Sequence, residues 1–279
     1  MWVGQQLADG LDFWGFLGSL ILGGIILGIY TGLLGYVGAK TGLSLDLLSQ
    51  RAFGEKGSYL PSAMTSFTQI GWFGVGSFVS GGTATPNFAR FAKNGKAGAI
   101  TTVVAFFIGN SLMFFFGAVS SIFVGGNDIF EVMVRLNLFY LAVLVLGLNI
   151  WTTNDNALYT AGLGLANIFH QRKKPMVLLS GIIGTVASVW LYYNFCGWLN
   201  ILNCTLPPVG TILVLAYFMN KEDFETDQPK LKTVDWFAVA GVILGAIVAN
   251  LLHWGIASIN GMAVAAVCYC VGQAVNKRK

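Results

Sequence analysis

Between residues 13 and 37 the chain carries no charged side chain, and the same holds for 97–123, 175–192, 195–219, 236–252 and 254–275. Each run is close to the roughly 20 apolar residues that an α-helix needs to cross a hydrocarbon layer of about 30 Å. This repetition predicts an all-α, polytopic transmembrane helical bundle. The composition agrees, with 55% hydrophobic and 10% charged residues against about 25% charged in soluble domains. The 36 glycines suit helices that approach one another closely in lipid. In such a chain a net charge of +4 has a topological meaning and names the lipid bilayer, not nucleic acid, as partner.

Three stretches interrupt the apolar pattern. The first, 148–159, lies inside the span 138–167 and reads Leu-Asn-Ile-Trp-Thr-Thr-Asn-Asp-Asn-Ala-Leu-Tyr. Polar groups at that depth face a partner, a ligand or a water-filled cavity. Asn149, Thr152, Thr153 and Asn156 share one helical face and Asn154 points elsewhere. Two faces can serve two ligands, or these residues join helices by hydrogen bonds. The second stretch is the span 57–76, where Gln69 and Trp72 stand three apart and share a face. The third, 77–90, holds Ser, Thr, a Gly pair and Pro86, the composition of a broken helix that lines a cavity.

The remaining motifs exclude more than they assign. No P-loop, Gly-x-Ser-x-Gly, His-Glu-x-x-His or paired-carboxylate arrangement is present, so the chain is not expected to be an enzyme. Cys196, Cys204, Cys268 and Cys270 have no metal-like spacing with His170 or His253 and read as small core residues. Residues 1–12 lack the basic start of a cleavable signal peptide. Lys and Arg collect at Arg51 and Lys56, at 90–96, at 172–174, at Lys221, Lys230 and Lys232, and at 277–279, and all five groups are expected on the cytoplasmic side. Arg135 lies on the other side, with Glu131 placed to pair with it. Only one comfortable crossing fits between Lys56 and Arg90, so either 57–89 form a re-entrant hairpin or a segment is absent there.

Residues 69–76 (Gln-Ile-Gly-Trp-Phe-Gly-Val-Gly), 77–91 and 147–159 closely resemble the bacterial cytosine permeases of the nucleobase:cation symporter-1 family. The resemblance continues at 181–186 (Gly-Ile-Ile-Gly-Thr-Val), 194–199 (Asn-Phe-Cys-Gly-Trp-Leu) and 207–210 (Pro-Pro-Val-Gly). It implies a LeuT-type 5+5 inverted repeat plus two C-terminal helices, with helices 1 and 6 broken at mid-membrane and helices 3 and 8 helping to build the site. On that plan 1–279 is a single, incomplete transmembrane domain. Residues 1–12 match a remnant of helix 1, 13–37 helix 2, 57–76 part of helix 3, 77–91 the second half of helix 6, and 97–275 helices 7 to 12. The rest of helix 3, helices 4 and 5 and the first half of helix 6 have no counterpart, an internal gap between Gly76 and Ser77 on the order of 90 residues at about 20 to 25 per span plus loops.

The resemblance also implies a function. It describes a secondary active transporter of the bacterial inner membrane that imports cytosine by symport with a cation, sodium, and needs no cofactor. Trp72 matches the aromatic platform under the pyrimidine, Phe78 the ring on its other face, and Gln69, Ser77, Ser80 and Asn154 the groups that read its edge. Asn149, Thr152 and Thr153 match the sodium site. Asp155, the one carboxylate in an apolar run, stays open between proton coupling and an acid held by a neighbouring amide. The alternative is an internally deleted homologue without transport activity.

Overall fold

The computed structural model describes residues 12–75, 81–125, 129–226, 229, 231–252 and 254–276, and among them every regular element is helical. Helix α1 (Phe13–Thr41) starts where Asp12 accepts from the Gly15 N–H at 3.2 Å and ends at Gly42, whose φ of 69° is the left-handed turn that glycine takes without strain. A short helix, α2 (Leu45–Phe53), follows behind the Ser44 cap. Next come α3 (Tyr59–Val75) and two single turns, α4 (Gly81–Ala84) and α5 (Pro86–Ala89), separated at Thr85. A long rod runs through α6 (Gly95–Val104), a π-helical turn (Ala105–Gly109) and α7 (Asn110–Val124). The outer helix α8 (Ile129–Arg135) carries the expected Glu131–Arg135 ion pair. The chain continues with α9 (Phe139–Phe169), α10 (Lys173–Tyr193), α11 (Phe195–Met219), α12 (Lys221–Glu225), α13 (Trp236–Leu251) and α14 (Ala257–Asn276).

Among the described residues, five stretches are long and apolar enough to cross a membrane: Phe13–Thr41, Gly95–Val124, Lys173–Leu191, Gly197–Met219 and Ala257–Asn276. Their outward faces are apolar, as with Ile29, Phe123 and Val186, which is costly in water and neutral in lipid. The amphipathic aromatics Trp14, Tyr140, Tyr193 and Trp254 are all exposed at the ends of spans, the level at which such rings sit in a bilayer. Of the cysteines, Cys204 is buried as a core residue, whereas Cys270 is exposed. Helix α14 turns that position outward, so the expectation of a core role fails for Cys270.

Small residues decide which helices meet. Helix α1 packs along α6 because a Cβ at Gly98 would lie 2.4 Å from the Ala39 Cβ and one at Gly35 only 2.5 Å from the Thr102 Oγ1. In α11, Pro207 removes a helical donor from the Asn203 carbonyl, and the Ser258 hydroxyl of α14 approaches that carbonyl at 3.3 Å while also bonding the Asn203 Oδ1. Helices α11, α13 and α14 form one packed group, while α3, α9 and α10 form another.

The main core sits at one end of the bundle, around α2. Leu45, Leu48 and Phe53 of α2 pack with Leu34 of α1, Ile212 and Tyr217 of α11 and Tyr269 of α14. The connectors converge there too. Arg51 donates to the Asp223 and Thr226 carbonyls, Gln50 to the Asn167 Oδ1, and the backbone of residues 53–57 bonds that of 232–235. Asn87 of α5 accepts from the Leu45 N–H at 2.8 Å. Helix α3 starts at this end, and Asn87 of α5 also lies at it.

Candidate substrate and cation site

The pairing of α3 with α9 is the frame on which the site residues stand. Asn167 near the end of α9 donates to Ser58 and Ser62 at 3.1 and 2.9 Å. One level further along, the Ser66 hydroxyl donates to the Ala161 carbonyl at 3.1 Å. A Cβ at Gly164 would fall 2.2 Å from the Ser66 Oγ and 2.8 Å from the Ser62 carbonyl, so the two backbones meet at a distance only glycine permits. These contacts run in opposite directions along the two helices, which makes the pair antiparallel.

Counting outward from the Ser66–Ala161 bond sets the depth of the two predicted recognition groups. Trp72 lies six residues further along α3 and Asn154 seven residues back along α9. At about 1.5 Å per residue both stand about 9 to 10 Å beyond the bond, at one level. Gln69, a turn before Trp72, is buried, 6% exposed. Asn154, Ala157, Ala161 and Gly164 follow a helical stripe; Ala157 and Ala161 are buried and Gly164 abuts α3. The Asn154 Oδ1 is buried with no hydrogen-bond partner among the described residues. Leaving such an acceptor dry costs about 1 to 3 kcal/mol, so its retention asks for a donor from elsewhere.

The other predicted residues are placed differently. Asn149, Thr152 and Asn156 are exposed and Thr153 is half-buried. The Thr152 hydroxyl bonds back to the Leu148 and Asn149 carbonyls of its own helix at 3.1 Å each. The backbone at Trp72 continues α3, while its side chain, together with Ser77, Phe78 and Ser80, lies outside the described residues. The structure thus brings Gln69 and Asn154 onto paired helices; of the three residues matched to sodium, Thr152 faces away from α3 and is exposed, Asn149 is exposed, and Thr153 is half-buried. Asp155 is exposed beside them.

Two features were not anticipated. Trp198 of α11 is 3% exposed, and its ring would lie 2.2 Å from a Cβ on Gly71. It backs the helix immediately before Trp72, and its only sequence signal is a place in the 194–199 motif. On the other flank, a cavity of about 340 Å³ lies between α1, α4, α11 and α14, lined by Tyr30, Thr83, Asn203, Leu206 and Ser258 among others. Tyr30 and Thr83 share a 2.9 Å hydrogen bond there. None of the described site residues lines that cavity.

Polar contacts gather toward the end where the connectors meet. Arg90 donates to the Tyr159 hydroxyl, and the Lys173 ammonium sits 4.0 Å from the centre of the same ring. Asp46 of α2 accepts from the Ser62 hydroxyl at 2.6 Å. Burial pushes its carboxyl up to about 6, against the opposing pull of Ser62, its own backbone N–H and Arg90.

Comparison with known proteins places this arrangement. The family model described as permease for cytosine/purines, uracil, thiamine, allantoin matches residues 1–84 and 75–273. The cytosine permease of Escherichia coli strain K12 is 36% identical over 372 residues, spanning 100% of this chain and 88% of the relative. An allantoin permease of Bacillus subtilis is 34% identical over 82 residues, 29% of this chain and 16% of that protein. The first alignment exceeds the 279 residues of the chain by 93 positions, and the two matched stretches meet at 75–84, where an internal gap between Gly76 and Ser77 is expected. The chain belongs to the family of permeases for cytosine/purines, uracil, thiamine and allantoin.

Proposed function

We propose that this chain binds a nucleobase of the cytosine type at the α3–α9 pair and imports it with a cation, sodium, by alternating access. The observation that carries this reading is the Asn154 Oδ1, buried at the depth of Trp72 without a hydrogen-bond partner among the described residues. A planar base presents two π faces and an edge of donors and acceptors. Trp72 and Phe78 supply stacking, worth about 1 to 3 kcal/mol per base in other base-binding proteins. Gln69, Ser77, Ser80 and Asn154 read the edge, since an amide offers donor and acceptor together. Asn149, Thr152 and Thr153 offer the oxygen donors that a hard cation takes. Each ligand then raises the other's affinity, as linkage requires. The basic connectors, including 277–279, face the cytoplasm of a bacterial inner membrane.

A second reading is favoured by the alignment. A chain lacking 93 aligned positions of its relative folds as a membrane protein without transporting. Cytosine titrated into the purified full chain in sodium and in choline buffers separates the two. The first reading expects sodium-dependent binding that Trp72→Ala abolishes and Cys268→Ala leaves intact. Equal affinity in both buffers would overturn the coupling, and absence of binding in either would favour the second reading. Uptake of labelled cytosine by vesicles holding the chain then tests transport itself.

A further inference from the structure

An apolar groove of about 510 Å³ runs down the outer side of α10, where Leu158 of α9 meets it. Its residues on α10 include Lys174, Leu178, Gly181, Ile182, Thr185 and Val186, a stripe at helical spacing that spans about 18 Å at 1.5 Å per residue. One leaflet of hydrocarbon is about half of the 30 Å core, so the groove has the length of a leaflet. Gly181 gives it depth, because a Cβ there would rest 3.5 Å from the Leu158 side chain. The walls are exposed aliphatics, with Leu178 at 66% and Val186 at 79%.

One end of the groove is charged. Lys174 lines it, next to Arg172 and Lys173, and all three are exposed. Among the described residues none of the three forms an ion pair, and the ion pairs present lie elsewhere, at Lys40–Glu225, Glu131–Arg135 and Lys232–Asp235. Adjacent cations without a carboxylate repel one another and draw an anion.

We propose that this groove is a binding site for one anionic phospholipid, its phosphate held by Arg172, Lys173 and Lys174 and an acyl chain laid along Leu178, Gly181 and Ile182. Basic positions between transmembrane helices at the membrane surface hold acidic headgroups, at about 1 kcal/mol per cation, which is about fivefold in affinity each. Apolar contact along the groove supplies the remainder. The groove shares Leu158 with α9 but includes none of the residues assigned to the base or the cation, and does not depend on what the α3–α9 pair binds.

The test is native mass spectrometry of the purified full chain offered equal amounts of phosphatidylglycerol and phosphatidylcholine with identical acyl chains. The expected result is at least tenfold greater retention of phosphatidylglycerol. That preference falls to parity in Arg172→Gln/Lys173→Gln/Lys174→Gln, weakens with added salt on the unmodified chain, and survives Lys93→Gln/Lys96→Gln. Gly181→Phe, which fills the groove and leaves the cations, lowers phosphatidylglycerol retention at least tenfold. Equal retention of the two lipids, an unchanged preference in the triple or Gly181→Phe variant, or loss in the Lys93/Lys96 variant would each overturn the site. Displacement of the lipid by equimolar glycerol phosphate would overturn the acyl contact. A dimer that excludes lipid would assign the groove to a second copy.

Discussion

The Asp46 carboxylate of α2 accepts a 2.6 Å hydrogen bond from the Ser62 hydroxyl of α3, and Ser62 in turn accepts from the Asn167 amide of α9. Three elements are thereby joined through one buried acid, at the end where the connectors converge. Movement of α3 against α9 has to break or carry this chain of bonds.

The buried acid makes stability depend on pH. Asp46 is held at about 6 by burial, above its unfolded value of about 4. Between those values the folded state binds the extra proton, so stability falls as pH rises through this window and stays low above it. The shift corresponds to about 3 kcal/mol at 1.36 kcal/mol per unit. Thermal unfolding of the purified chain should show a higher midpoint at pH 5 than at pH 7. Asp46→Asn, which keeps an acceptor for Ser62, should flatten that dependence and raise the midpoint at pH 7. An unchanged pH profile in Asp46→Asn would assign the effect to another group.

Gly164 should tolerate no side chain. A Cβ there meets the Ser66 Oγ at 2.2 Å and the Ser62 carbonyl at 2.8 Å, and the carbonyl belongs to backbone that cannot rotate away. Gly164→Val should cost about 1 to 3 kcal/mol, as overpacking does, and should weaken cytosine binding by separating Trp72 from Asn154. Wild-type unfolding and affinity in this variant would show that the helices are not in contact here.

Asn154 separates a recognition role from a structural one. Its Oδ1 is buried without a partner among the described residues, so replacing the amide by an apolar group of similar size removes a desolvation cost of about 1 to 3 kcal/mol. Asn154→Leu should leave the unfolding midpoint unchanged or raise it, while lowering cytosine affinity at least tenfold. A large loss of stability with binding intact would reassign the residue to helix joining.

Tyr159 holds two cations in different ways. Its hydroxyl accepts from Arg90, and its ring face lies under Lys173. Tyr159→Phe keeps the ring and deletes the acceptor. Among the described residues the Arg90 Nε has no partner, and because Arg90 is charged the loss should be that of a bond to a charged group, about 1.5 to 3 kcal/mol. Equilibrium unfolding of Tyr159→Phe against Tyr159→Leu separates the hydroxyl from the ring, the second variant being lower still by the cation–π contribution.

Much of the fold is legible in the chain because lipid imposes simple rules. Apolar runs such as 195–219 become helices since nothing else satisfies their backbone, and Glu131 finds Arg135 because i and i+4 adjoin on any helix. The site was legible in part. Asn154 and its stripe with Ala157, Ala161 and Gly164 follow from helical periodicity once the buried side is known. Trp198 was not, because its contact with Gly71 joins distant parts of the chain and a tryptophan in an apolar run has no local mark. The 148–159 stretch shows the same limit: periodicity separates Asn154 from Asn149 and Thr152, yet says nothing of which side meets α3.

Taken by itself, the sequence determined the solvent and the helical class, since these depend on composition and on contacts within a few residues. Tertiary structure alone decided that Gly164 lets α3 reach α9, that Trp72 and Asn154 share one depth, and that Asp46 lies buried under Ser62. Those relations hang on the direction and register of helices far apart in the chain, which close packing sets and local preference does not.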